Sequence, residues 1–336
     1  MRKQSVASIV ASIVAGLTLI VSVSLAGQSA KSATGWTVPR TPDGHPDMQG
    51  VWAHNSMTPL ERPKHFGLRA TMTDAELADL KAKAKAMMDG GDAFFADELF
   101  NAAVEGKTKF TSADTQVGNY DQTWLSDRWF DNRTSLIIDP PDGQVPALAP
   151  EAVERARVEA TARRTRGPAD RAQDLSLGTR CVSYGTPNIR AGYQSYFEIT
   201  QGIGAVALRS EMIHDARVFP VGAGPHVSKQ ITQYHGDSRA HWEGDTLVVD
   251  STNFVKDAFR PTNTERLRVT EKFRRVADDM VEYYVTLDDP GTWSHPWTLM
   301  IPLKKTGEGM FEYACHEGNY GLAAILRGAR AQESGR

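Results

Sequence analysis

Carboxylate, imidazole and guanidinium groups gather in three short stretches of this chain. Glu211–Arg217 carries Glu211, His214, Asp215 and Arg217. Asp237–Glu243 carries Asp237, Arg239, His241 and Glu243, and Tyr313–Tyr320 carries His316, Glu317, Asn319 and Tyr320. An acid, a base and a fixed cation around one point are the components of general acid–base catalysis. If these stretches are strands, alternation puts Asp215 and Arg217 on one face and Asp237, Arg239, His241 and Glu243 on one face. It puts His316 on a face with Glu312. The expectation is a polar pocket inside a barrel. There His316 and Asp215 transfer protons, Arg217 or Arg239 stabilises negative charge, and His241 and Glu243 are the next candidates. The competing arrangement places all these groups outside, in water.

Other chemistries find weaker support. His235 and His241 are roughly 20 Å apart on an extended strand and cannot share an ion. There is no H-E-x-x-H and no C-x-x-C, so no metal site is expected. There is no G-x-S-x-G elbow and no glycine-rich phosphate loop ahead of a helix, so no nucleotide or other cofactor is expected. Trp242, Tyr283, Trp293 and Trp297 either fill the barrel or, with Asn319, line an apolar cavity for a flat or hydrophobic small organic ligand.

The positioning elements are read from residue pattern. Asp237–Phe254 forms two arms around Glu243-Gly244-Asp245, the second rich in β-branched residues. Strands are expected at Met48–His54, Tyr196–Thr200, Ala205–Met212, His214–Val221, Asp237–Glu243, Thr246–Thr252, Leu267–Val276, Val281–Leu287, Trp297–Leu303 and Met310–His316, and a further strand at 134–146 runs into Pro140-Pro141-Asp142-Gly143. The short connections favour antiparallel hairpins. Thr73, with Glu76 three residues on, is a capping box for a helix to about Met88. A second helix covers Ala93–Val104. Pro150 opens a third, to about Arg166, whose arginines form a solvated face. The fold expected is mainly β: an antiparallel up-and-down barrel or strongly curved sheet over 48–322, with a helical insertion at about 73–166. Residues 27–47 are an extended lead-in, and 323–336 a flexible tail.

Composition sets the compartment. A chain of 336 residues with 40% hydrophobic and 24% charged residues can bury a sizeable core. A net charge of −3 and the lack of a basic stripe argue against nucleic-acid partners. Arg2 and Lys3, the apolar run Ile9–Leu25, and Ser24 and Ala26 at positions −3 and −1 read as a signal peptide over 1–26, an uncleaved anchor being the alternative. After cleavage no stable membrane span remains, and the mature chain is periplasmic or secreted. In an oxidising compartment Cys181 and Cys315, the only two cysteines, are expected to pair. Two buried thiols or a metal ligand are the alternatives.

Two resemblances add to this reading. Gly50-Val51-Trp52 resembles the G-x-W of lipocalin and calycin barrels, which implies a barrel able to enclose a ligand without chemistry. A non-catalytic periplasmic carrier is therefore the rival to the enzyme. TPDGHPDMQGVW at Thr41–Trp52, RTSLIIDPPDG at Arg133–Gly143, EMIHDAR at Glu211–Arg217, GDSRAHWEGDTLVVDSTNF at Gly236–Phe254 and YACHEGNYGL at Tyr313–Leu322 resemble a family of exported bacterial proteins. That family brings no activity with it.

Overall fold

A computed structural model describes residues 35–89, 96–106, 128–167, 169–189, 195–222, 224–256 and 265–334. The expected signal peptide lies outside them, as does the start of the lead-in. The strands are β1 (Gly50–Ala53), β2 (Ile137–Asp139), β3 (Tyr196–Gly202), β4 (Ala205–Ser210), β5 (Ala216–Pro220), β6 (Asp237–Glu243), β7 (Thr246–Thr252), β8 (Arg268–Ala277), β9 (Met280–Asp288) and β10 (Trp297–Lys305). The helices are α1 (Asp74–Asp89), α2 (Ala96–Val104), α3 (Pro150–Arg166) and α4 (Tyr320–Ser334).

The mainly-β antiparallel barrel is present, nearly closed, with helices following its first strand. The ten strands form one sheet in the order β5-β4-β3-β1-β10-β9-β8-β7-β6, with β2 pairing beside β10. Two meanders, β3–β5 and β6–β10, are joined by β1, which pairs with both β3 and β10. The first strand is therefore central, and the order is not a simple succession around the ring. Nine antiparallel strands in a ring impose a constraint: with an odd number, the first and last run the same way. Among the described residues the one bridge across the closing seam, Val221↔Ala240, is indeed parallel. Parallel neighbours cannot be joined by a tight hairpin. The chain after β5 must run back along the barrel before β6 begins, and residues 224–236 lie on that return.

The interior is filled. Trp52, Phe197, Ile199, Phe219, Val249, Phe273, Val285, Leu287, Leu299 and Ile301 alternate inward at 0–3% exposure. One polar chain runs through this packing. Arg217 of β5 donates through Nη1 and Nη2 to the two Glu271 oxygens of β8, at 2.9 and 2.6 Å. Its Nη2 also reaches Ser251 Oγ of β7 at 3.1 Å and Ser238 Oγ of β6 at 3.4 Å. Tyr283 of β9 donates its hydroxyl to Glu271. The Arg217 guanidinium lies 4.7 Å from the Phe219 ring centroid. Burial opposes the charge on Arg217, but the facing Glu271 carboxylate outweighs it and holds the pKa above the ordinary value. Five consecutive strands, β5 to β9, are thus tied by side chains on the inner face.

The lead-in closes the end of the barrel near the β6–β7 turn. Arg275, stacked 5.6 Å from the Trp52 ring, donates to the carbonyls of Asp47 and Asp278. The expected capping box forms: Thr73 N–H donates to Glu76 at 2.8 Å, and Glu76 N–H to Thr73 Oγ1 at 3.2 Å. Helices α1 and α2 build a second core with Met57, Phe66 and Met72, separate from that of the barrel.

Two expectations are corrected. Met310–His316 is not a strand but an irregular segment tied by the disulfide. The region expected as a tail from 323 is helical, in α4, where Ala, Leu, Arg, Gln and Glu favour the helix.

The polar chain generates a test. Glu271→Ala leaves a buried guanidinium without its counter-charge and should destabilise the fold by about 3–5 kcal/mol in urea unfolding. A loss under about 1 kcal/mol would show that the ion pair is not needed.

Candidate functional site

The cysteines pair, Cys181 to Cys315, across 134 residues. The bridge pins the loop 176–189 over the end of the barrel where β5 and β6 begin. Asp215, which precedes β5, accepts from Ser183 Oγ at 3.1 Å and Tyr184 N at 3.2 Å. His235 joins the same carboxylate through Nε2 at 3.3 Å, and its Nδ1 meets Thr186 Oγ1 at 2.6 Å. Both His235 nitrogens and both Asp215 oxygens are engaged, so this cluster is a latch for the loop.

Gly236 separates His235 from Asp237, and the chain needs glycine there. Its φ is +69°, and an added Cβ would lie 2.6 Å from the Thr252 carbonyl. The bend sends His235 towards Asp215 and Asp237 into the first position of β6.

Asp237 organises the other side of the seam. Its Oδ2 accepts from His226 Nδ1 at 2.7 Å and from Val227 N at 3.1 Å. Its Oδ1 lies 3.2 Å from Arg239 Nη1. A carboxylate oxygen accepts, so His226 donates from Nδ1 and turns Nε2 away from Asp237. Among the described residues Nε2 has no hydrogen-bond partner, and the ring is partly exposed. Arg239 donates Nε to Pro225 O at 2.9 Å and Nη1 to Ser238 O at 3.0 Å, which leaves Nη2 without a partner among the described residues. A hollow of about 490 Å³ opens on this outer side of the seam. Pro220, Val221, Gly222, Gly224, Pro225 and Arg239 line it.

The residues expected to do chemistry divide among five places. Arg239 lines the hollow. Arg217 is inside the barrel and committed to Glu271, and Tyr283 is with it. Asp215 belongs to the loop latch. His241 and Glu243 point outward from β6, paired with each other at 3.2 Å, and the His241 bond and nearby Lys272 hold the Glu243 pKa below the ordinary value. His316 is exposed beside the disulfide. The convergence of His316, Asp215 and the β6 row inside the barrel is not formed, because alternation turns Ser238, Ala240 and Trp242 inward and the charged row outward. Trp293 and Trp297 pack edge to face at 5.4 Å in the core, Trp242 stacks on His45 at 4.6 Å, and Asn319 braces the disulfide through Thr179 O and Cys181 Sγ. None of these four lines the hollow. Among the described residues, no group of three or more His, Cys, Asp or Glu side chains is arranged to hold a metal ion.

Sequence reasoning missed His226, Asp237 as its partner, and Glu271. Glu271 was detectable as a lone acid between Val269 and Phe273 on one strand face. His226 follows a Gly-x-Gly-Pro turn, a local signal for a bend but not for the tertiary pairing.

Comparisons with protein-family models, with curated proteins and with solved structures found no match. Among the described residues no helix is long and apolar enough to cross a membrane.

His54 lies beneath the disulfide-held loop at 0% exposure, with Nε2 donating to Ile189 O at 3.1 Å. Burial lowers its pKa from 6.5 to about 4, so it is neutral in the fold. Unfolding restores the higher value. Its stabilising contribution is complete above pH 6.5 and is lost as pH falls through the window down to about 4. Over that window wild type should lose about 3 kcal/mol more stability than His54→Gln. Parallel pH curves for the two proteins would contradict this.

Proposed function

We propose that this chain is an exported enzyme acting on a small organic molecule by general acid–base catalysis, with the chemistry at the outer β5–β6 seam. His226 exchanges the proton through Nε2, Asp237 fixes its ring and tautomer, and Arg239 faces the negative charge that develops. Elimination, hydration, isomerisation and hydrolysis all use this set of groups. The observation that carries the reading is the His226 imidazole, bound at Nδ1 by Asp237 and without a partner at Nε2 among the described residues, with the Arg239 guanidinium on the same carboxylate. The hollow is within the roughly 300–1,000 Å³ of small-molecule sites. The expected signal peptide and the disulfide both support export to an oxidising compartment.

The rival reading, a lipocalin-like carrier, needs an enclosed apolar cavity. Side chains at 0–3% exposure occupy that volume, so this reading has less support than the seam.

The test is turnover of a panel of small esters, lactones, hydroxy acids and unsaturated acids. Wild type should turn over at least one, and His226→Gln should lose about 100-fold or more in kcat/KM with an unchanged thermal midpoint. Turnover that survives the substitution, or no turnover across the panel, would overturn the reading.

A further inference from the structure

The lining of the hollow says more than that a small molecule fits. Pro220, Val221 and Pro225 give it apolar walls, and Gly222 and Gly224 keep those walls low. Arg239 is its one charged lining residue. Both oxygens of the neighbouring Asp237 are in contact with donors of the chain itself. The Arg239 guanidinium is held by the Pro225 and Ser238 carbonyls and by Asp237 Oδ1, 3.2 Å from Nη1, which orients it and leaves Nη2 without a partner among the described residues. The apolar character continues beyond the rim. Val218, 62% exposed, stands on the outer face of β5, with Ala207 opposite it on β4. A site with one oriented guanidinium, apolar walls and an apolar approach complements a ligand with an anionic head and an apolar body.

We infer that the seam hollow binds a small carboxylic acid with an apolar body, its carboxylate on Arg239 and its body against Pro220, Val221 and Pro225. This rests on the reading of the seam as the active site and adds the substrate class. The carboxylate is present before reaction, so binding needs no turnover. It places the head group on Arg239, whose partner Asp237 also binds His226. With Nε and Nη1 committed, the carboxylate meets Nη2, whose charge-assisted hydrogen bond a neutral amide does not reproduce. Glycine at 224 matters for space: a Cβ there would sit 3.9 Å from Arg239 Nε, so a larger side chain would grow across the guanidinium.

The test is calorimetric or NMR titration of the full mature protein with hexanoate and benzoate, and with hexanamide and benzamide as neutral matches. The acids should bind at least about tenfold more tightly than the amides. Arg239→Gln should abolish that preference, and Arg239→Lys should keep part of it. Gly224→Val should weaken acid and amide alike while leaving Arg239 in place. Equal affinity for acid and amide, a preference that survives Arg239→Gln in a protein of unchanged thermal midpoint, or no saturable binding of either acid would overturn the inference. The acid-over-amide ratio is a binding measurement and the His226 effect a kinetic one, so each can fail alone. Acid preference without His226-dependent turnover removes the catalytic role, and His226-dependent turnover without acid preference removes the ligand class.

Discussion

The ion pair between Arg217 and Glu271 does what the backbone does not do at the seam. Everywhere else around the ring, neighbouring strands are laced by ladders of two to nine residue pairs. Between β5 and β6 there is one bridge among the described residues. Across that gap the Arg217 guanidinium reaches inward to Ser238, Ser251 and Glu271, and Tyr283 extends the chain to a fifth strand. Burying two charges is costly unless geometry and further hydrogen bonds compensate, and here the pairing is two-pronged and both partners have additional contacts. The value of the arrangement is directional: it fixes where β5 lies relative to β6–β9 without needing the two strands to pair along their length.

That incomplete pairing is also what makes room for a site. An odd ring of antiparallel strands forces a parallel closing pair, and the parallel pair forces a return segment along the outside. The return segment brings His226 to Asp237 and His235 to Asp215, one on each side of Gly236. The two imidazoles have different fates for a simple reason. His235 is bound at both nitrogens and holds the disulfide loop down. His226 is bound at one, and its Nε2 has no partner among the described residues. The proposed chemistry is thus on the wall of the barrel rather than in its lumen, which is packed.

Much of this was legible in the sequence, and the parts that were not share a cause. Local patterns identified the strands: β6 and β7 follow the expected ranges residue for residue, and the Thr73–Glu76 box set the start of α1. Alternation assigned the charged row of β6 to one face correctly, but it does not say which face is inside. Leu247 and Val249 on the partner strand decide that, since their inward side carries Ser238, Ala240 and Trp242 with it. Met310–His316 alternates like a strand yet has no neighbour to pair with, and the disulfide and the Glu211 carboxylate hold it instead. The position of β1 between two meanders, the odd strand count and the contact between His226 and Asp237 are tertiary facts. Eleven residues separate that imidazole from its carboxylate, and only the parallel closure brings them together.

The central claim is that the inner polar chain, not a backbone ladder, holds the seam and so shapes the hollow. Amide hydrogen exchange on the double substitution Arg217→Met/Glu271→Leu tests it most directly, because removing both charges leaves neither one unpaired in the core. Amides of β5 and of the return segment, residues 216–236, should exchange at least about tenfold faster than in wild type, while β8 and β9 keep their protection. Unchanged protection along 216–236 would contradict it.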